Sequence, residues 1–208
     1  MNYLKTALMA LRPSLHITLE GISTAEQTPR LSDGTYQAAL VLLPYQDADI
    51  AAEPLFEEPL NLAIAVGHRL ARRRQVNLQE LVHEPLIWMT RRSNPHFHDQ
   101  FLAWCRAAGY EPIVAQEVTG LLECLQFVSD GVGISFVSAS ARRSHFEGIA
   151  IRPLVGPPFP VRTGVAYRRD NSSAVLHSIL AVARQQFRKG VGCGCGFFLA
   201  APRAPLFS

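Results

Sequence analysis

Six apolar residues run without a break from Ala38 to Leu43 and are closed by Pro44. A strand with one wet face alternates polar and apolar positions, whereas a run with no polar position must be covered on both faces, as in a parallel sheet flanked by helices. Parallel strands need long crossover connections, so this one segment predicts a chain in which strands and helices alternate.

The flanking sequence supplies that alternation. Leu4, Ala7, Leu8 and Leu11 lie on one helical face that must end before Pro13. Leu15, Ile17 and Leu19 then alternate with polar residues as a strand does. Two overlapping capping boxes, Ser23 with Glu26 and Thr24 with Gln27, announce a helix ending near Gly34. Pro29 falls inside it unless the first turn is irregular or the helix begins at Thr28.

Downstream, Leu60, Leu62, Ile64 and Val66 form a strand, followed by an arginine-rich loop from His68 to Gln75, a helical turn at Leu78 and Leu81, and a strand from Pro85 to Met89. Asn94 caps and Pro95 opens a helix with Phe97, Phe101, Trp104 and Ala108 on one face, stopping at Gly109. Ile113 to Ala115 is strand-like, and Thr119 precedes a helix carrying Leu121, Leu125 and Val128 up to Gly131. Further strands are expected at Gly133 to Val137, around Ile149 and Ile151, and at Val161 to Tyr167. Ser172 or Ser173 caps a last helix with Leu176, Ile179, Leu180, Ala183 and Phe187 on one face. Residues 191–208 show no periodicity and read as a disordered tail, with Cys193-Gly-Cys195 a weak zinc signal.

At 208 residues, 48% hydrophobic and 18% charged, the chain fits one large domain or two small lobes, with about 70% of its unfolded surface buried and no need of disulfides or metal. The net charge of +3 is low for a nucleic-acid binder, and the cluster Arg69, Arg72, Arg73 and Arg74 reads as a solvated loop. No apolar run is long enough to span a membrane and Met1 to Thr6 does not read as a secretion leader, so a cytoplasmic location is expected. Cys105 and Cys124 lie in helical patterns and read as small core residues. Gly-x-Ser-x-Gly, P-loop, His-Glu-x-x-His and paired Cys-x-x-Cys motifs are absent, so neither an enzyme nor a cofactor or metal is expected.

Several strings, in order and in spacing, carry a resemblance: Leu31-Ser-Asp-Gly34, the segment Pro59 to Leu70, Val76-Asn-Leu-Gln-Glu-Leu81, Ala108-Gly-Tyr-Glu-Pro112, and Phe127 to Ser138. Together they resemble the effector-binding domain of LysR-type transcriptional regulators, over roughly Leu4 to Arg188. Ser93-Asn-Pro-His-Phe97 is similar to the loop of the branch that senses acids of aromatic-compound breakdown. The resemblance implies an α/β fold of two Rossmann-like lobes, the type 2 periplasmic-binding-protein fold. Its lobe I would hold residues 1–60 and 166–190 and its lobe II residues 61–165, with crossings near Pro59 and Val165. It also implies a homodimer, a small-molecule effector, and DNA binding only through a winged helix-turn-helix domain that is not read in this sequence. The chain opens at the first helix of the effector domain, so a truncated regulator lacking the domain's first strand is expected. Where the family often has an acid, Gln37 stands. A solute-binding protein for transport and an enzyme of the same fold remain the alternatives.

The site can be read from residues. Helix starts present free N–H groups and a positive dipole end to anions, and in doubly wound folds they sit at the carboxyl ends of strands, where ligands bind. Two starts qualify, Ser23/Thr24 and Ser93/Asn94, and by resemblance they face each other across an interlobe cleft. Arg91 and Arg92 would pair with a carboxylate, Leu42, Leu43 and Phe97 would supply apolar walls beside Pro95, and Thr119 and Ser135 would donate hydrogen bonds. The charge balance carries a prediction: this chain alone gives no sequence-specific shift of operator DNA in an electrophoretic assay, and a tight shift would contradict it.

Overall fold

A computed structural model describes residues 23–188, together with Met9, Thr18–Glu20 and Phe198–Ala200. The helix expected at Leu4 to Leu11 lies outside the described residues apart from Met9, and so do Cys193 and Cys195. The chain divides into two compact units, Met1–Glu57 with Arg162–Ser208, and Glu58–Val161. The crossings thus lie at 57/58 and 161/162, where the sequence reading puts them near Pro59 and Val165.

In the first unit, β1 (Thr18–Glu20) precedes α1 (Thr24–Ser32), and β2 (Ala39–Leu43) pairs with β9 (Pro160–Arg168), which in turn neighbours β3 (Ile50–Ala65). The unbroken run is covered on both faces, as expected. Ala38 and Leu40 pack with Leu176, Ile179, Ala183 and Phe187 of α4 (Ala174–Arg188), whereas Ala39 and Val41 pack with Leu31 of α1, Tyr36 and Ile50. The strand direction differs from expectation: β2 runs antiparallel to β9, because burial on both faces reports coverage and not orientation. Helix α1 begins at Thr24 and continues through Pro29, so the start at Thr28 does not occur. Ser173 is the cap of α4: its Oγ accepts from the Leu176 N–H at 3.1 Å and donates to Gln37 Oε1 at 3.1 Å. Gln37 also accepts from Asn171 Nδ2 at 3.1 Å, tying the approach to β2 to the start of α4. Phe198–Ala200, in the stretch read as a disordered tail, form β10 antiparallel to β1, a correction for those residues.

The second unit holds the rest of β3, paired with β7 (Ser135–Ser138) and β8 (Ile149–Val155), while β8 also pairs with the short β4 (Val76–Asn77). Strand β3 starts at Ile50, ten residues before the expected Leu60, because Pro54 and Pro59 and a half-buried stretch hide its period. Separately, β5 (Pro85–Met89) lies parallel to β6 (Ile113–Val118). Helices α2 (Pro95–Ala107) and α3 (Leu121–Ser129) follow β5 and β6 respectively.

An aromatic cluster fills this unit. Trp88 of β5 stacks on Phe101 of α2 with centroids 3.9 Å apart, and Phe159 meets Phe97, Phe101 and Trp104 edge-on at 5.5 to 5.7 Å. Phe101 is fully buried. Phe101→Ala should therefore cost about 3–5 kcal/mol in a urea unfolding experiment, and a loss below 1 kcal/mol would show that this cluster is not the core.

Candidate functional site

Parallel pairing brings the ends of β5 and β6 together, with Met89 opposite Val118. The connections that follow, Thr90–Asn94 and Thr119–Gly120, therefore leave from one edge of the second unit and lead into the starts of α2 and α3. The Thr90 N–H donates to the Val118 carbonyl at 2.9 Å, which ties the two connections. This is the position at the carboxyl ends of parallel strands where α/β folds bind ligands.

Asn94 caps α2, its Oδ1 accepting from the Phe97 N–H at 3.1 Å, and Pro95 occupies the first turn. Ser93 is buried and closes a helical turn, Arg91–Ser93, by donating its N–H to Thr90 O at 3.0 Å. Arg91 makes a two-pronged pair with Asp99, Nε to Oδ1 and Nη2 to Oδ2, both at 2.8 Å. Its guanidinium therefore already holds a carboxylate of its own chain. Arg92 is exposed and takes no ion pair among the described residues. Phe97 lies in the aromatic core, stacked against Trp88 at 6.3 Å.

Thr119 precedes α3, as expected. The cap position belongs to Gly120, and Thr119 uses both its N–H, at 3.0 Å, and its hydroxyl, at 3.4 Å, on the Glu123 carboxylate. No side chain caps α3, and a Cβ built at Gly120 would meet nothing within 4 Å. The first turn carries Glu123, whose carboxylate is held at the Thr119 N–H, so a negative charge already sits at this helix start. Ser135 lies beneath the edge: its hydroxyl donates to the Ile87 carbonyl at 2.8 Å and accepts from Cys124 Sγ at 3.0 Å. It fastens β7 to β5, so its proton is committed within the fold.

In the first unit, Ser23 alone caps α1, in a capping box with Glu26, and Thr24 is the first helical residue. The second box, Thr24 with Gln27, does not form, because Gln27 points into the interior and is fully buried. Glu26 accepts from the Ser23 hydroxyl at 2.8 Å and the Ser23 N–H at 2.9 Å, and these bonds hold its carboxyl below the usual range. A carboxylate therefore already sits at the α1 start. Two residues that were not site candidates in sequence join here: the Thr28 hydroxyl donates to Thr24 O at 3.0 Å and lies 2.8 Å from the Tyr45 hydroxyl. Burial pushes the Tyr45 phenol up. Tyr45 follows the half-buried Leu42 and Leu43, and a long-range pair of this kind leaves no trace in local periodicity.

Burial raises the Cys105 thiol to about 12 and pushes Cys124 up as well, so neither of these cysteines supplies a thiolate. Among the described residues no cluster of three His, Cys, Asp or Glu could hold a metal, and no helix is long and apolar enough to cross a membrane.

The LysR substrate binding domain family matches residues 4–188. The chain belongs to this family, the effector-sensing portion of LysR-type transcriptional regulators. It is similar to the HTH-type transcriptional regulator AlsR of Bacillus subtilis (strain 168), 26% identical over 174 residues, covering 84% of this chain and 58% of that protein. It is also 30% identical over 176 residues to a probable hydrogen peroxide-inducible genes activator of Mycobacterium avium, covering 81% of this chain and 56% of the relative. The chain therefore spans somewhat over half the length of these curated relatives. Among solved structures, the BenM effector binding domain with its effector benzoate superimposes with a TM-score of 0.75 at 25% identity, covering 91% of this chain and 86% of that one. The architecture is thus the periplasmic-binding-protein-like α/β fold of LysR effector-binding domains.

The Arg91–Asp99 pair carries a titration prediction. The Arg91 guanidinium holds the Asp99 carboxyl at about 2, below the ordinary value of about 3.9. Because the folded pKa is lowered, the pair's contribution is complete above the ordinary range and is lost as pH falls toward about 2. Carboxyl-carbon NMR should place the Asp99 midpoint there, and Arg91→Ala should return it to the ordinary range. An unshifted midpoint in the unaltered protein would refute the two-pronged contact.

Proposed function

We propose that this chain senses a small carboxylate, of the aromatic-acid class, and that the adjoining starts of α2 and α3 receive the carboxylate group. The observation that carries this reading is the exposed Arg92 in the Arg91–Ser93 turn ahead of α2, whose first turn holds no acidic residue, at the carboxyl edge of the parallel β5–β6 pair where α3 also starts. Backbone N–H groups, a helix dipole and an exposed guanidinium there converge on one kind of ligand, an anion. In the second unit the proposed effector-contacting residues are Arg92, Ser93, Asn94, Pro95 and Thr119, with Arg91 and Phe97 fixing the turn from beneath and Ser135 anchoring the strand. In the first unit they are Ser23, Thr24, Leu42 and Leu43. Both the α1 and the α3 starts already hold a carboxylate in the first turn, Glu26 and Glu123, so the α2 start, whose first turn carries no acid, and the exposed Arg92 beside it are the stronger attraction for an anion. The benzoate-bound BenM domain supports a carboxylate of this class.

The role is regulatory and not catalytic: ligand binding shifts a conformational equilibrium by its differential affinity. In the full protein the DNA contact lies in a helix-turn-helix domain outside this chain, and the location is cytoplasmic, with the DNA. A homodimer is proposed too, supported by the apolar residues Ile113, Val114 and Leu122 left exposed on β6 and α3.

Thermal unfolding in the presence of benzoate and a panel of other small carboxylates tests the reading. A ligand at about 100 times its Kd stabilises the native state by about 2.7 kcal/mol, which for a chain of this size raises the melting temperature by roughly 5–10 °C. Arg92→Ala should abolish the shift while leaving the unliganded midpoint unchanged, and Thr24→Ala should weaken it. A folded protein that shows no shift with any carboxylate would remove this site.

A further inference from the structure

We infer that the segment Phe198–Ala200 is a built-in strand of the first unit, which docks β1 onto the sheet at the edge of β2. Strand β10 pairs antiparallel with β1 in the register Thr18↔Ala200, Leu19↔Leu199 and Glu20↔Phe198. Its Cα atoms also lie within 8 Å of those of β2. The other side of β2 is taken by β9, so β2 ends the ordered ladder and has an edge to offer. An isolated pair of strands is marginal in water, and three-residue strands are shorter than most. The β1–β10 pair therefore needs a third neighbour, and β2 is the strand beside it. The sequence suits the place: Phe198, Leu199 and Ala200 are all apolar, as the residues of a strand paired along both edges can be. An unfilled edge at β2 would leave backbone donors and acceptors unpaired and open to strand addition. The occupant is this chain's own segment in cis, which gives residues beyond α4 a structural role.

Hydrogen exchange on the unaltered chain is the first test. The amides of residues 18–20 and 198–200 should exchange at least tenfold more slowly than in unstructured peptides of the same sequence, and random-coil exchange at both segments overturns the inference. The second test is a cysteine pair, Leu19→Cys with Leu199→Cys, with Cys193→Ser and Cys195→Ser to remove competing thiols. Facing residues of an antiparallel ladder fall within disulfide reach, so oxidised glutathione should close an intramolecular bridge detectable by mass spectrometry. The control pair Leu19→Cys with Arg203→Cys, beyond the observed register, should close far less. Equal closure in both pairs, or a bridge that forms only between two chains, overturns pairing in cis. The third test is a chain ending at Gly190, whose melting midpoint should fall by at least about 2–4 °C. A peptide of residues 195–204 added in trans should recover it, and an unchanged midpoint on truncation counts against the docked strand.

Discussion

The proposed site depends on the parallel register of β5 against β6. That register sets Met89 beside Val118, and from there the two chain segments turn into α2 and α3 at the same edge. The far edge of β5 is fixed as well: the Ile87 N–H donates to Ile134 O at 2.8 Å, the Ile134 N–H to Pro85 O at 2.8 Å, and the Ser135 hydroxyl to Ile87 O at 2.8 Å. This approach needs a glycine at position 133, where a Cβ would stand 2.3 Å from Pro85 O. A strand held along both edges gives the turn at Arg91–Ser93 a rigid base. A binding site for a small anion needs that rigidity, because its donors must already be aimed before the ligand arrives.

Electrostatics then separates two helix starts that look alike in sequence. Ser23 and Asn94 are both polar caps with an orthodox residue pattern behind them. At α1 the third helical residue is Glu26, whose carboxylate folds back onto Ser23 and satisfies the dipole internally. At α2, in the second unit, the neighbouring charges are Arg91 and Arg92, and Arg91 is turned sideways by Asp99 on the same helix. The pair clamps the loop to the helix it precedes and leaves Arg92 as the exposed cation. The same clamp fixes the angle between the turn and the aromatic core, since Phe97 lies between Arg91 and Asp99 in sequence and is buried against Trp88.

Much of this was legible in the residues. The β2 run, the Asn94-Pro95 helix start, the stop at Gly109 and the face of Leu176, Ile179, Ala183 and Phe187 follow from local steric and hydrogen-bonding rules acting over a few residues. The family strings did the same for the fold. What was not legible is whatever requires two distant segments to meet. Tyr45 on Thr28, Gln37 on Ser173, Ser135 on Ile87 and β10 on β1 each join residues whose partner is set by topology and not by spacing. That Gly120 stands at the start of α3 and that Thr119 bonds Glu123 also needed the folded backbone.

The alternation of strands and helices, the buried run of β2 and membership of the LysR effector-domain family rest on periodicity and on ordered local strings, and so are written in the residues alone. The three-dimensional fold, in contrast, decided that Arg91 is committed to Asp99 and that Ser135 is an internal fastener. It likewise decided that the uncapped helix start is α3 and that an apparently featureless tail contributes a strand. The physical reason is the same in each case. A side chain's chemical type tells what it can bond to, but which groups remain available to a ligand is known only after the fold has satisfied all the others.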